Sequence, residues 1–424
     1  MNQTPRFNSL FAWLTWQETL HPSKIDLGLE RIAAVAGRMG LLNPPAAVIT
    51  IAGTNGKGSS VAMLDAICRA AGYRVGSYTS PHIHRYNERI RINGEPAADD
   101  ALCTAFHAID IARAGETLSY FEFGTLAALA LFHAAAPDLI LLEVGMGGRL
   151  DAVNIIDPDV ALVSSIGIDH TAWLGSDREA IGREKAGIFR SGRPAICADP
   201  DPPSSLRDAA ARIGARWFCL GDHFDYEVGT VSWSWHGPGL CHADLPMPAL
   251  GGAHQFNNAA GVLMALAGLA ERLPVPRAAI VQGLQEVVLP ARCQYIHGET
   301  DFVLDVAHNP DSAARLLSVL QDRPCHGQTY IVLGMLEDKD VGAFARALQP
   351  AADHWYLGGL DVDRGLAVDV LQERILQAGI IAGIRCFPSV AAACRQARVD
   401  AVAGDRIVIC GSFFAVAEAR QCHV

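Results

Sequence analysis

An apolar run, AAVITIA at Ala46 to Ala52, passes directly into GTNGKGSS at Gly53 to Ser60 and then into the helical pattern VAMLDAI at Val61 to Ile67. Strand, glycine loop and helix in immediate succession leave few folds open, because the helix must return over the sheet that the strand belongs to. The same order is the context of a phosphate-binding loop. Glycines let successive N–H groups turn towards an anion, the helix N-terminus adds positive potential, and Lys57 supplies a mobile cation for the outer phosphates. The residues Gly53, Thr54, Asn55, Gly56, Lys57, Gly58, Ser59 and Ser60 are therefore read as a nucleoside triphosphate site. The string departs from G-x-x-x-x-G-K-[ST], since Gly58 follows Lys57 and the hydroxyls come only at Ser59 and Ser60. The alternative is a tight turn that binds nothing.

Further β-branched runs end in polar or glycine-rich strings: Val75 to Thr79 before Ser80-Pro81-His82, Leu139 to Val144 before GMGGR, and Val160 to Ile166 before Gly167-Ile168-Asp169-His170. Helical patterns lie between the runs, at Leu126 to Ala136 and Ala259 to Ala270. This alternation predicts an α/β fold with a parallel sheet, whose ligands collect beyond the carboxyl ends of the strands. Asp222 to Pro248, with Trp233, Trp235 and several glycines and prolines, predicts a short antiparallel excursion before a helix resumes at His254. Strands near Phe302 to Val306, Tyr330 to Gly334, His354 to Gly358 and Arg406 to Cys410 begin a second series. The expected domains are 1–290, a P-loop ATPase domain, and 291–424, a smaller Rossmann-like domain, in keeping with a length of 424 residues.

The balance of 34 Lys and Arg against 45 Asp and Glu, a formal charge of -11, argues against a general nucleic-acid or anionic-membrane surface. Any anionic ligand must meet a local basic site. The stretch Leu126 to Val144 is interrupted by His133, Pro137 and Asp138, too soon for a membrane span. The N-terminal region lacks the charged start and continuous apolar core of a signal peptide. Eleven scattered cysteines without C-x-x-C or zinc spacing read as reduced thiols, which places the chain in the cytoplasm.

A carboxylate at the tip of a buried strand beside a phosphate loop commonly orients Mg2+ or its waters, which singles out Glu143; pairing with Arg149 is its ordinary alternative. His170 alone reads as a structural histidine. His82, His84, Arg85, Arg89 and Arg91 form a local excess of positive or potentially positive residues, either a solvated loop or a capture site for a carboxylate.

GTNGKGSS, SPHIHRYNERI at Ser80 to Ile90, YFEFGTLAAL at Tyr120 to Leu129, LEVGMGGRLDAVN at Leu142 to Asn154, GIDH at Gly167 to His170, EKAGI at Glu184 to Ile188 and DVAHNP at Asp305 to Pro310 occur in that order. Together they resemble the folylpolyglutamate synthase and dihydrofolate synthase family, relatives of the Mur peptide ligases, over nearly the whole chain. The GKGS ending of the loop is what that family uses. The resemblance implies an ATP-dependent ligase that joins L-glutamate to dihydropteroate and to the γ-carboxylate of reduced folates through an acyl phosphate. It implies two Mg2+ ions, with Ser80, Glu143 and His170 at the metal positions, and Lys185 as a carbamate near the metal. A lysine paired with Glu184 or Asp177 is the alternative for Lys185. Arg292 matches the arginine that reaches the γ-phosphate, and Asp305 and His308 match positions that complete the nucleotide and glutamate sites. Gln255 and Asn257 match adenine-side residues, although Asn257 could instead cap a helix. Ser412 matches a glutamate-binding position; Phe121, Phe123 and Asp151, with His82 and Arg85 nearby, match a pteroate or folate pocket. A monomer is expected. Competing readings are a folylpolyglutamate synthase alone, a Mur-type ligase acting on a cell-wall precursor, and a nucleotide-dependent binding protein without catalysis.

Overall fold

The computed structural model describes residues 4–23 and 26–420. Eight strands form the first sheet: β1 (Ala47–Ala52), β2 (Val75–Tyr78), β3 (Ile90–Ile92), β4 (Glu95–Pro96), β5 (Leu139–Glu143), β6 (Val160–Val163), β7 (Pro194–Cys197) and β8 (Arg216–Cys219). Their order is β4-β3-β2-β5-β1-β6-β7-β8. The strands from β2 to β8 in this order run parallel, and β3 and β4 extend the edge antiparallel. Every residue of β1, β2, β5, β6 and β7 is buried, which is why these strands read as unbroken apolar runs. The loop-bearing strand β1 is central, and its neighbours are β5 and β6, with Ile51 opposite Glu143.

Three strands, β9 (Asp225–Val228), β10 (Ser232–Gly237) and β11 (Leu240–Pro246), make the antiparallel excursion. The helix after it is His254–Gly268. The last sheet contains β12 (Gln294–Ile296), β13 (Asp301–Leu304), β14 (Thr329–Leu333), β15 (His354–Gly358), β16 (Ile384–Phe387) and β17 (Arg406–Cys410), ordered β12-β13-β17-β14-β15-β16. All pairs in it are parallel except β12 with β13.

Contacts divide the chain into two units. The first holds residues 1–166, 174–249 and 256–287; the second holds 288–424 together with 167–173 and 250–255. The core of the first includes an aromatic group in which Phe106 packs on Trp13 and Phe123, with ring centroids 6.0 and 5.5 Å away. In the second, Phe344 of helix Val341–Leu348 is buried in one core with Trp355 and Leu357 of β15. No helix among the described residues is long and apolar enough to cross a membrane.

Candidate active site

The loop after β1 is held by its carbonyls. Ser164 Oγ and Ser165 Oγ donate to Asn55 O at 2.8 and 2.9 Å, and Ser60 donates to Gly56 O through both its N–H and its Oγ. In a planar trans peptide the N–H points opposite to the carbonyl, so these bonds turn the N–H groups of Gly56 and Lys57 the other way. Gly56, at φ +93, is the residue on which the helix Lys57–Ala70 begins. A Cβ there would stand 2.4 Å from Asn258 Oδ1, so the cradle depends on glycine in both conformation and space.

Two ammonium groups meet on one oxygen. Lys57 Nζ donates to Gly53 O at 3.0 Å and Lys185 Nζ donates to the same oxygen at 2.9 Å. Lys185 is buried at the end of helix Arg178–Lys185. Glu184 pairs with Arg149 at 2.9 Å, and Asp177 accepts the N–H of Ala180 as a helix cap. Arg149 is thus engaged with Glu184, whereas Glu143 Oε2 accepts the N–H of Ser80 at 3.0 Å. The register of β2, β5 and β1 brings Ser80, Glu143 and the glycine loop to neighbouring strand ends.

Beside this group, Asp151 accepts the N–H groups of Met146 and Val153 at 2.8 and 3.1 Å. Burial pushes its carboxyl up to about 6, against the backbone donors and the charge of Lys57, which favour the anion. Phe121 lies 5.6 Å from the ring of Tyr78, and its ring would collide with any side chain at Gly145, two residues beyond Glu143. Phe123 points elsewhere: it is wholly buried and packs on Trp16 and Phe106. The basic string is less cationic than its composition. His82 accepts the Nε–H of Arg89 at 2.8 Å, and burial with the Arg89 charge lowers its imidazole to about 4, so it is neutral near pH 7. Arg85 pairs with Asp99 at 2.9 Å. Arg89, which also faces the rings of Tyr86 and Tyr120, is the better-placed cation; the sequence reading counted it only as part of the string.

Asn257 is not a helix cap, since the helix begins at His254 and Asn257 Oδ1 accepts the hydroxyl of Tyr226 at 2.6 Å. Gln255 Nε2 is 3.2 Å from His254 Nε2.

In the second unit, Asp305 accepts the N–H and Sγ–H of Cys293 and the N–H of Ala307, anchoring the chain on either side of β13. Arg292 has its guanidinium 5.0 Å over the ring of Phe413. Ser412 donates to Gly334 O and accepts from Ala415 N–H, both at 3.0 Å. His308 Nδ1 is 2.8 Å from Val306 O, and its Nε2 is 3.4 Å from Asp169 Oδ2. His170 has φ +51, and its N–H donates to Asp169 Oδ1. Lys339 Nζ donates to that same oxygen at 2.6 Å. Burial alone would raise the Asp169 carboxyl, but the hydrogen bond from His308 and the charges of His170, Lys339 and His308 hold it far below the carboxylate range. Asp169 and Lys339 were not selected from sequence. The available signal was the polar string LEDKD shortly beyond the buried strand β14, comparable to the polar end of β5 that exposed Glu143. Among the described residues no three His, Cys, Asp or Glu side chains gather as a metal cluster.

Residues 51–266 match the Mur ligase middle domain, and residues 291–413 match the Mur ligase glutamate ligase domain. A dihydrofolate synthase/folylpolyglutamate synthase of Escherichia coli is 43% identical over 422 residues, 99% of this chain and 97% of its own. The chain belongs to the dihydrofolate synthase/folylpolyglutamate synthase family. It is an enzyme of the ligase class, and its fold agrees with solved relatives. E. coli FolC in complex with DHPP and ADP superposes with a TM-score of 0.94 at 42% identity, covering 99% of this chain and 98% of that one. A bifunctional folylpolyglutamate synthase/dihydrofolate synthase with Mn, AMPPNP and L-glutamate bound gives 0.92 at 42% identity, covering all of both chains.

Proposed function

We propose that this chain uses ATP to join L-glutamate to dihydropteroate and, in a second activity, to the γ-carboxylate of reduced folates. The observation that carries the reading is the loop at the end of β1, where Lys57 and Lys185 share the carbonyl of Gly53 and Ser80 and Glu143 occupy the adjoining strand ends. The ADP and AMPPNP bound by the relatives support ATP as the nucleotide.

The substrate carboxylate attacks the γ-phosphorus of ATP, giving an acyl phosphate and ADP; the amine of glutamate then attacks the acyl carbon and phosphate leaves. Both reactants of the first step are anions, so the work of the site is charge neutralisation and alignment. The N–H groups of Gly56 and Lys57 and the Lys57 ammonium hold the phosphates. Thr54, Asn55, Gly58, Ser59 and Ser60 complete the nucleotide loop, with Asn257 on the adenine side. His82, Arg85, Phe121 and Asp151 hold the pteroate or folate, whereas Phe123, buried against Trp16 and Phe106, belongs to the core; His308 and Ser412 hold glutamate.

Carboxylate and hydroxyl oxygens at Glu143 and Ser80 suit a hard divalent cation, and the Mn-bound relative supports one here. Glu143 and Ser80 would hold Mg2+, in two ions, which when bound adds positive charge beside the transferring phosphoryl group. Two ammonium groups on one carbonyl oxygen, with nitrogens at most about 6 Å apart, repel each other. Conversion of Lys185 to a carbamate turns that repulsion into attraction and supplies an anion towards the metal. The reading also takes the enzyme as a cytoplasmic monomer, with the domain division near residue 290.

Turnover tests the proposal: ATP, Mg2+ and L-glutamate are supplied with dihydropteroate in one arm and a reduced folate monoglutamate in the other. Amide formation in both is expected. A product in neither, with turnover on a cell-wall precursor and an amino acid, would replace this reading by a Mur-type ligase.

A further inference from the structure

Asp169 is ringed by polar groups, three of them from distant parts of the second unit. Lys339 Nζ and the N–H of His170 donate to Oδ1 at 2.6 and 2.8 Å. Asn309 Nδ2 donates to Oδ2 at 3.2 Å, and His308 Nε2 lies 3.4 Å from the same oxygen. The Asp169 side chain is 9% exposed and that of Lys339 is 6% exposed. A carboxylate so engaged has little capacity left for a substrate; its geometry instead fixes the groups around it.

His308 is held from both edges of its ring. A carbonyl oxygen only accepts, so Nδ1 carries a hydrogen towards Val306 O at 2.8 Å, while Nε2 faces Asp169. Asn309 is fixed in turn as the cap of helix Pro310–Asp322, where its Oδ1 accepts Ser312 N–H at 2.9 Å and its Nδ2 is left to face Asp169. Lys339 offsets the cost of burying the carboxylate.

We propose that Asp169 is a positioning residue for glutamate addition: it fixes the imidazole of His308, with Lys339 balancing the buried charge and Asn309 setting the carboxylate's orientation. The inference rests on the reading of His308 as a glutamate residue. Without Asp169, His308 keeps the Val306 carbonyl at one edge and loses its partner at the other.

Asp169→Asn preserves volume and removes the charge. The full-length variant is assayed for kcat, for KM towards glutamate and ATP, and for its Mg2+ requirement. Acyl phosphate formed without glutamate is trapped in parallel by hydroxylamine. Loss of one member of a buried charged pair predicts a rise of about thirtyfold or more in KM for glutamate. The ATP constant, the Mg2+ requirement and the trapped hydroxamate should stay within about twofold. In a His308→Ala background, Asp169→Asn should add little, because both changes remove one coupled unit. An unchanged glutamate KM, an equal loss in hydroxamate formation, or full additivity with His308→Ala overturns the proposal. If Asp169→Asn fails to fold, Asn309→Ser removes one donor to Oδ2 and retains a capping hydroxyl. It should raise KM for glutamate about two- to fivefold, and no rise overturns the proposal. If the parent enzyme makes no glutamate amide at all, the proposed function fails before the variants are compared.

Discussion

Gly53→Ala should destabilise the first unit, and Ser164 should determine by how much. An alanine Cβ would stand 1.9 Å from Ser164 Oγ and 3.2 Å from both the Cβ and the amide nitrogen of Ser164. The backbone at φ +149 adds strain of about 1 to 2 kcal/mol for any residue with a Cβ. Ser164 Oγ donates to Asn55 O at 2.8 Å and lies 3.3 Å from Ala52 O, so rotating it away gives up about 1 kcal/mol. Relieving the remaining overlap by backbone movement costs about 1 to 3 kcal/mol. The total, about 3 to 6 kcal/mol, is a large part of the stability of an ordinary domain. Urea unfolding of Gly53→Ala, Ser164→Gly and the double variant measures the coupling. The double variant should be at least about 2 kcal/mol more stable than the sum of the single effects predicts. ATP affinity should fall about tenfold or more in Gly53→Ala, because the carbonyl shared by Lys57 and Lys185 moves. A cost below about 1 kcal/mol, or strict additivity with Ser164→Gly, would refute the steric argument.

Lys185→Ala should abolish amide formation and regain part of it with acetate or another small carboxylate; failure of rescue together with an unmodified Nζ in the metal-loaded enzyme by mass spectrometry would contradict carbamylation. His82 bears on acid stability: with its folded-state value lowered to about 4 against about 6.5 unfolded, the unfolded chain binds more protons between those values. The stability that neutral His82 provides is present above about pH 6.5 and is lost as pH falls towards 4. His82→Gln should flatten that part of the pH–stability curve, and an unchanged slope in urea titrations across the window would count against the assignment.

Much of the scaffold was legible because β5, β6 and β17 are buried along their whole length, so the sequence shows uninterrupted β-branched runs. β7 escaped notice although every residue of it is buried, because Pro194, Ala195 and Cys197 give no β-branched run; other missed strands lack the burial. In β16 the central Arg385 and Cys386 are exposed, and β3 and β4 span only three and two residues. Strand ends were set one to three residues too long after Val163 and Tyr78, where backbone bonds turn from the sheet to the loops. The glycine loop, Ser80 and Glu143 could be chosen because the first two follow buried strands and Glu143 ends one. Asp169 and Lys339 could not be paired that way: 170 positions separate them, and nothing local records that the segment 167–173 packs with the second unit. The neutral state of His82 was equally hidden, since it depends on burial and on the approach of Arg89.

The acyl phosphate is the central claim, and isotope transfer tests it most directly. Dihydropteroate labelled with 18O in both carboxylate oxygens is turned over with unlabelled ATP, Mg2+ and L-glutamate, and the inorganic phosphate is analysed by mass spectrometry. If the carboxylate attacks the γ-phosphorus, the oxygen that bridges carbon and phosphorus leaves with phosphate. Each amide formed should then be matched by one phosphate carrying a single 18O. Amide formation accompanied by unlabelled phosphate would contradict the account.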